Sequence, residues 1–234
     1  FRLRPEARFH DGVKMSAADV IWSMETLRQS HPFYNFYYKN IVKGEQTGDN
    51  EVTFVFAEKG NRELPQIVGQ LPVLPRHWWT GKDASGRARN IENTTLEAPL
   101  GSGAYRAAEI KPGSSVLLKR VTDYWGQALP VNVGTDNFDE IEYIYFRDEN
   151  VAFEAFKGDQ YDWRTETSSK MWATGYDFPA VKSGRVVLEK IKLKQVEGMQ
   201  AWALNLRRNK FQDARVRQAL NLAFDFEWAN QNLF

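Results

Sequence analysis

Three histidines are the first candidates for acid–base or metal chemistry: His10, His31 and His77. They lie far apart in the chain, and none falls in a metal-binding spacing such as two histidines flanking a helical glutamate. His10-Asp11 sets an imidazole beside a carboxylate, the ingredients of general acid–base catalysis. Gly12 follows, and Asp-Gly favours a tight reversal, which explains the pair as a turn. With no cysteine, a thiol nucleophile, a disulfide and a thiolate-held zinc are ruled out. There is no G-x-S-x-G nucleophile elbow and no Walker loop, and Gly101-Ser102-Gly103 is too short to cradle phosphate. The 30 Asp and Glu residues leave a glycosidase-type carboxylate pair open by spacing alone, and a hydrolase is the remote alternative. Otherwise the reactive residue types do not converge, and the expectation is a binding protein rather than an enzyme.

Aromatic side chains can bind without reacting, and they make up 14% of the 234 residues, with eight Trp. Such rings fill cores or line clefts, and composition leaves both open. Hydrophobic residues at 42% and charged residues at 26% describe an ordinary globular chain. The formal net charge of +1, with both signs interspersed, argues against nucleic acid as the partner. No apolar run approaches the ~18 residues of a membrane-spanning helix.

The elements that would position these residues follow from local pattern. Residues 1–4 read as a strand. Ser16 is a helix N-cap with Asp19 as its capping-box partner, and Val20, Met24 and Leu27 share the apolar face of a helix that ends at His31-Pro32. An aromatic cluster follows, containing Phe33, Tyr34, Phe36, Tyr37 and Tyr38. Residues 41–57 form a hairpin about Gly48-Asp49-Asn50, with Val52, Phe54 and Phe56 turned to a core. Leu64, Ile67, Val68 and Leu71 fit a short helix, and residues 80–97 read as a polar surface loop near a domain boundary. Strands are expected over 104–110, 115–121, 138–146, 161–163, 185–196 and 200–206, and a helix over 150–157. A last helix, capped by Asp213, carries Val216, Leu220 and Phe224. Hairpins, helices and separated strands together indicate an α/β or α+β class. The first residues already read as strand and the last five stop inside a helical pattern, so the chain is expected to be a fragment.

Four segments in order carry a family resemblance. They are Phe1-Arg2-Leu3-Arg4-Pro5 with Phe9-His10-Asp11-Gly12 and Ser16-Ala17-Ala18-Asp19-Val20; Pro99-Leu100-Gly101-Ser102-Gly103-Ala104-Tyr105 with Asp123-Tyr124-Trp125-Gly126; Phe156-Lys157-Gly158-Asp159 with Tyr161-Asp162; and Asn205 with residues 211–220 and Asp225. They span nearly the whole chain, which thereby resembles the family 5 extracellular solute-binding proteins, the dipeptide- and oligopeptide-binding group. Residues 74–79 (Leu-Pro-Arg-His-Trp-Trp) with 94–97 (Thr-Thr-Leu-Glu) look most like its YejA-type branch. The bland readings of these motifs are structural. Gly101 and Gly103 would serve a strand-entry turn, Tyr124-Trp125 would seal a core, and Arg215 and Arg217 would tie the last helix to a neighbouring lobe.

The resemblance implies an α/β fold of the periplasmic binding protein type (type II, peptide-binding class) with an extra small α+β lobe. Residues 1–97 would be that small lobe, 98–198 part of the first ligand-binding lobe, and 199–234 the crossover and start of the second. It implies an exported, periplasmic protein, monomeric and without cofactor or metal. Such a protein captures oligopeptides or peptide-like solutes and delivers them to an inner-membrane ABC permease by hinge closure. Carbohydrate or another small solute is the alternative ligand. By position in the family pattern, the candidate ligand contacts are Phe33, Tyr34, Trp163, Arg164, Glu166, Gln200 and Trp202. The aromatics would bury apolar ligand groups, and Arg164 or Glu166 would pair with a peptide terminus. The competing reading is that Trp163 and Trp202 are core.

Overall fold

The structure is a computed structural model that describes residues 1–93, 95–196, 198–199 and 201–232. The chain parts into two compact units, Phe1–Tyr145 and Phe146–Phe234.

The first unit begins with an extended segment that pairs with the hairpin only at Arg2 and Glu51, so the expected first strand is reduced to an isolated bridge. Helix α1 (Ala17–Ser30) starts where the capping box places it: the Asp19 N–H donates to Ser16 Oγ at 3.2 Å, and the Ser16 N–H donates to Asp19 Oδ2 at 2.9 Å. Asp19 also accepts from the Arg76 N–H at 3.2 Å, and Ser23 Oγ accepts from the Leu74 N–H at 2.8 Å. The same helix face therefore holds the entry to α4 (Arg76–Trp79). His31 closes α1 and, through its ring, caps α2 (Pro32–Tyr37), whose N1 proline continues no helix behind it.

Strands β1 (Ile41–Gly48) and β2 (Glu51–Phe56) form the expected antiparallel hairpin. Val52 is buried with Phe54 and Phe56 half-buried on its face, while Thr53 and Val55 are exposed. This period-2 face packs on α1 and α3 (Leu64–Gly69) in two adjoining clusters. One is Met24, Tyr38, Ile41 and Val68; the other is Ala17, Val20 and Val52. The unit continues into an antiparallel three-stranded sheet of order β3 (Tyr105–Lys111), β4 (Ser115–Arg120) and β5 (Glu140–Ile144).

Among its described residues the second unit is helical: α5 (Glu149–Lys157), α6 (Ser169–Thr174), α7 (Pro179–Lys182), α8 (Ala214–Leu222) and α9 (Phe226–Asn232), with a 3-10 turn at Asn209–Phe211. Asp148 caps α5 by accepting from the Val151 and Asn150 N–H groups, and the Val151 N–H, the Arg147 side chain and the Asn150 N–H hold its carboxyl below the usual range. Gly158 ends α5, but the residue that takes the left-handed conformation is Asp159, at φ 61°. The strands expected over 161–163, 185–196 and 200–206 are not strands among the described residues; their backbone is irregular and no ladder runs along it. Period-2 apolar sequence supplies only a face, and a strand also needs a neighbour to accept its hydrogen bonds.

Candidate functional site

Two of the motifs that carried the family resemblance meet in the first unit and bond to one another. The His10 N–H donates to Gly101 O at 2.8 Å, and the His10 ring bonds Gly103 O at 2.9 Å. Trp125 Nε1 donates to Ser102 O at 2.9 Å, and Arg8 donates to the Asp123 carbonyl and carboxylate at 2.5 and 3.1 Å. A Cβ on Gly101 would stand 3.2 Å from His10 Cε1, so glycine there lets the ring approach without displacement. Gly103 faces open space without a positive φ, so the expectation of a conformational need fails at that position. This knot fixes the entry to β3, a structural use of the motif.

The remaining histidines are also engaged. His31 accepts from the Phe33 N–H at 3.2 Å. His77 Nε2 bonds Asp11 Oδ2 at 2.7 Å, a pairing across 66 residues that sequence spacing hides. Burial raises the Asp11 carboxyl's pKa, yet His77 and the Val13 N–H hold it below the usual range. Among the described residues no group of three or more His, Asp or Glu side chains could hold a metal ion.

The predicted ligand contacts fall into separate groups. In the first unit α2 carries Phe33 and Tyr34. Phe33 is 57% exposed and stacks on Tyr37, with ring centroids 5.3 Å apart. Tyr34 stacks on the buried Tyr38 at 5.8 Å and packs against the Met24 cluster. Burial, with Tyr34 and Tyr37 alongside, pushes the Tyr38 hydroxyl up to about 12. The helix thus presents one ring to solvent and roots the other in the core.

In the second unit Trp163 is 72% exposed, whereas its neighbours Arg164 and Glu166 are half-buried and bonded to each other at 3.1 Å. Glu166 also accepts from the Tyr176 hydroxyl at 3.0 Å and from the Ser168 N–H at 2.8 Å. Burial raises its pKa, but those donors and Arg164 together bring it below the usual range. Tyr176, half-buried and bonded to that carboxylate, has its hydroxyl pushed up to about 12 by partial burial first and by that bond. The Arg164 guanidinium lies 5.1 Å from the centre of the Phe153 ring, and its Nε is buried without a partner among the described residues. The loop bearing Trp163 is therefore pinned from within.

Trp202 is 77% exposed and meets Phe224 edge-on at 5.9 Å. Gln200 lies outside the described residues. Asp213 caps α8 as expected. Arg215 pairs with that same Asp213 at 2.7 Å, and Arg217 donates to the carbonyls of Phe211 and Gln212. Arg215 thus braces its own helix cap, and Arg217 ties α8 to the turn that precedes it.

A feature the sequence did not reveal lies in residues 80–97. The Arg89 guanidinium forms a bidentate pair with Glu97 at 2.8 and 2.6 Å, donates to Trp78 O at 2.9 Å, and covers the Trp78 ring at 4.0 Å. What reads as a polar surface loop is clamped by Arg89 onto the Trp78-Trp79 pair, beside an open depression of about 260 Å³. Clusters of Gly, Asn and Asp mark such a segment as loop, while its tertiary anchor is a long-range pairing without local periodicity.

Comparison with known proteins completes the picture. The family profile described as bacterial extracellular solute-binding proteins, family 5 Middle, matches residues 1–234. The chain is 48% identical over 235 residues to the "Probable peptide-binding protein YejA" of Agrobacterium fabrum, covering 100% of this chain and 38% of that protein. It is 35% identical over 244 residues to the "Peptidoglycan-binding protein YepA" of the same organism, again over 100% of this chain and 38% of the relative. The crystal structure of NikZ from Campylobacter jejuni in complex with Ni(L-His) superposes with a TM-score of 0.66 over 99% of this chain and 42% of that one. At 20% identity that likeness speaks to the fold, which is that of the periplasmic binding proteins. The chain spans 36–38% of the length of the first curated relatives it matches.

Proposed function

The chain belongs to the bacterial extracellular solute-binding proteins of family 5, and from that premise we propose that it forms part of the capturing component of an ABC importer for oligopeptides or peptide-like solutes. The observation that carries this reading is the mounting of Trp163. A large ring is held in water at 72% exposure, while the loop beneath it is locked by the Arg164–Glu166–Tyr176 bonds. An apolar wall on a rigid base can take varied side chains without dictating their identity and loses little entropy on binding. Phe33 and Trp202 offer the same chemistry. The names of two relatives, peptide-binding and peptidoglycan-binding, agree with a ligand that contains peptide. Arg164 and Glu166 serve this site by positioning Trp163, a role different from the terminus-pairing expected from their charges.

On this reading the protein works in the periplasm and hands its ligand to an inner-membrane permease. The lobe assignment 1–97, 98–198 and 199–234 belongs to the same proposal. On this reading it is a binder rather than an enzyme, in keeping with the structural bonds that all three histidines make. A carbohydrate ligand at the same residues is the second reading, since exposed indoles also stack on sugars.

A thermal-shift screen of the natural full-length protein against short peptides and oligosaccharides tests this. Ligand at ~100 Kd stabilises the folded state by ~2.7 kcal/mol, which a melting curve resolves easily. Peptides should raise the melting temperature, and Trp163→Ala should remove the rise. Saccharide stabilisation that depends on Trp163 would favour the second reading, and no response to any peptide would defeat the first.

A further inference from the structure

Asp11-Gly12 is the one place in the chain where glycine follows an Asp or Asn. Such a pair can rearrange without an enzyme. The glycine nitrogen, with no side chain behind it to crowd the approach, attacks the Asp Cγ. An N–C bond forms, a carboxyl oxygen leaves as water, and a succinimide ring closes. Water then reopens the ring at either carbonyl. Opening at the side-chain carbonyl restores Asp; opening at the backbone carbonyl leaves the chain running through the side chain, as isoaspartate. No electrons change hands, and the water lost in closing is returned in opening. The surroundings leave room for this. Asp11 and Gly12 are exposed, Gly12 takes φ 86°, and a Cβ there would meet nothing within 4 Å.

Three hydrogen bonds oppose the rearrangement. The Gly12 N–H donates to Phe9 O at 2.9 Å, which keeps the proton on the attacking nitrogen. The Val13 N–H donates to Asp11 Oδ1 at 3.0 Å, and His77 Nε2 bonds Asp11 Oδ2 at 2.7 Å. A carboxyl held at both oxygens cannot turn freely toward Gly12. It is also kept as the anion, which is the poorer electrophile and the poorer source of a leaving water. Two of these bonds belong to the turn itself, and the third arrives from 66 residues away. His77 can supply it because the start of α4 is moored. The Arg76 N–H donates to Asp19, the Leu74 N–H donates to Ser23 Oγ, and Pro75 is fully buried. The His77 ring itself lies 5.7 Å from the ring of the buried Phe9.

We propose that Asp11-Gly12 is a latent isoaspartate site and that His77 keeps it closed by holding the Asp11 carboxylate. The consequence of losing that hold reaches beyond the turn. Isomerisation adds one carbon to the backbone directly after His10, whose N–H and ring hold Gly101 and Gly103. The entry to β3 therefore depends on Asp11 keeping its normal linkage.

Ageing the natural full-length protein in warm neutral buffer tests this. Trypsin cuts after Arg8 and Lys14, and chromatography with electron-transfer fragmentation separates the Asp and isoaspartyl forms of the released peptide. The folded protein should isomerise at least tenfold more slowly than the free peptide of residues 9–14. A bond between groups as exposed as His77 and Asp11 is worth a few-fold rather than orders of magnitude. His77→Ala and His77→Phe should therefore each isomerise about threefold faster than the natural protein. His77→Phe keeps a ring against Phe9 but has no donor, so it separates the bond from the packing and decides the matter if His77→Ala unfolds. His77→Gln, whose amide nitrogen can reach the same oxygen, should return the rate close to that of the natural protein. Isomerisation of the natural protein as fast as the free peptide, a His77→Phe rate equal to the natural one, or a His77→Gln rate equal to that of His77→Phe would each overturn the inference. None of these outcomes depends on which ligand the protein binds.

Discussion

Glu166 receives three donors in a half-buried setting, and its removal leaves Arg164, whose Nε already lacks a partner among the described residues, only the longer contacts to Glu149 at 3.6 Å and the Tyr161 hydroxyl at 3.4 Å. Breaking one side of a buried charge pair costs more than the pair itself contributes, because the other charge stays in low dielectric. Glu166→Ala is expected to destabilise the second unit by about 2–3 kcal/mol in urea titration, whereas Tyr176→Phe, which removes one neutral donor, should cost about 1 kcal/mol. Equal effects of the two would show that the carboxylate is not the centre of the cluster. The Arg89–Glu97 clamp gives a pH prediction. The side-chain bonds from Arg89 hold the Glu97 carboxyl below its ordinary value of 4.5. A depressed folded-state pKa means the clamp contributes fully above the unfolded value and is lost as pH falls through the folded one. Hydrogen exchange at the Gly81 and Arg89 amides should stay protected down through pH 4.5 and rise only below it. Glu97→Gln should expose both amides already at neutral pH; if it leaves their protection unchanged, the ion pair does not hold the loop.

At the level of elements, local signals and tertiary ones separate cleanly. The capping box of α1 is complete, so Ser16→Ala should cost about 1 kcal/mol in equilibrium unfolding, with a cost near zero contradicting the cap. Helix α8 is the opposite case. It buries no residue; Val216 and Leu220 are 40% and 41% exposed, and Phe224, expected on the helix but lying just past its end at Leu222, is 46% exposed. Leu220→Gln should therefore change the stability of this chain by less than about 0.5 kcal/mol, and a loss several times larger would mean the stripe is covered. The caps of α1 and α8 and the hairpin Ile41–Gly48/Glu51–Phe56 were legible because each depends on residues within a few positions of one another. The strands expected over 185–196 and 200–206 were not, because alternation at Val187, Glu189, Ile191 and Leu193 describes one face and says nothing about a pairing neighbour. The His77–Asp11 and Arg89–Glu97 contacts were equally hidden, since partners that meet through the fold leave no mark in spacing. Of the candidate contacts, sequence could name the aromatic residues but not their state: Trp163 and Trp202 face solvent, while Arg164 and Glu166 are turned inward and paired.

Across the whole molecule, a family match over residues 1–234 coexists with coverage of 36–38% of the first curated relatives. Capture of a peptide is a property proposed for the complete protein, to which this chain contributes exposed rings on pinned loops. Exposed aromatics carry a solvation cost in the unliganded state, and an indole that becomes enclosed is often among the few residues that dominate affinity. The decisive measurement is a calorimetric titration of a short-peptide pool into the natural full-length protein and into its Trp163→Ala/Trp202→Ala variant. Saturable binding that weakens by at least tenfold in the variant, about 1.4 kcal/mol or more, is the predicted result. Peptide affinity equal in the two proteins, or no peptide binding by either, would contradict the account.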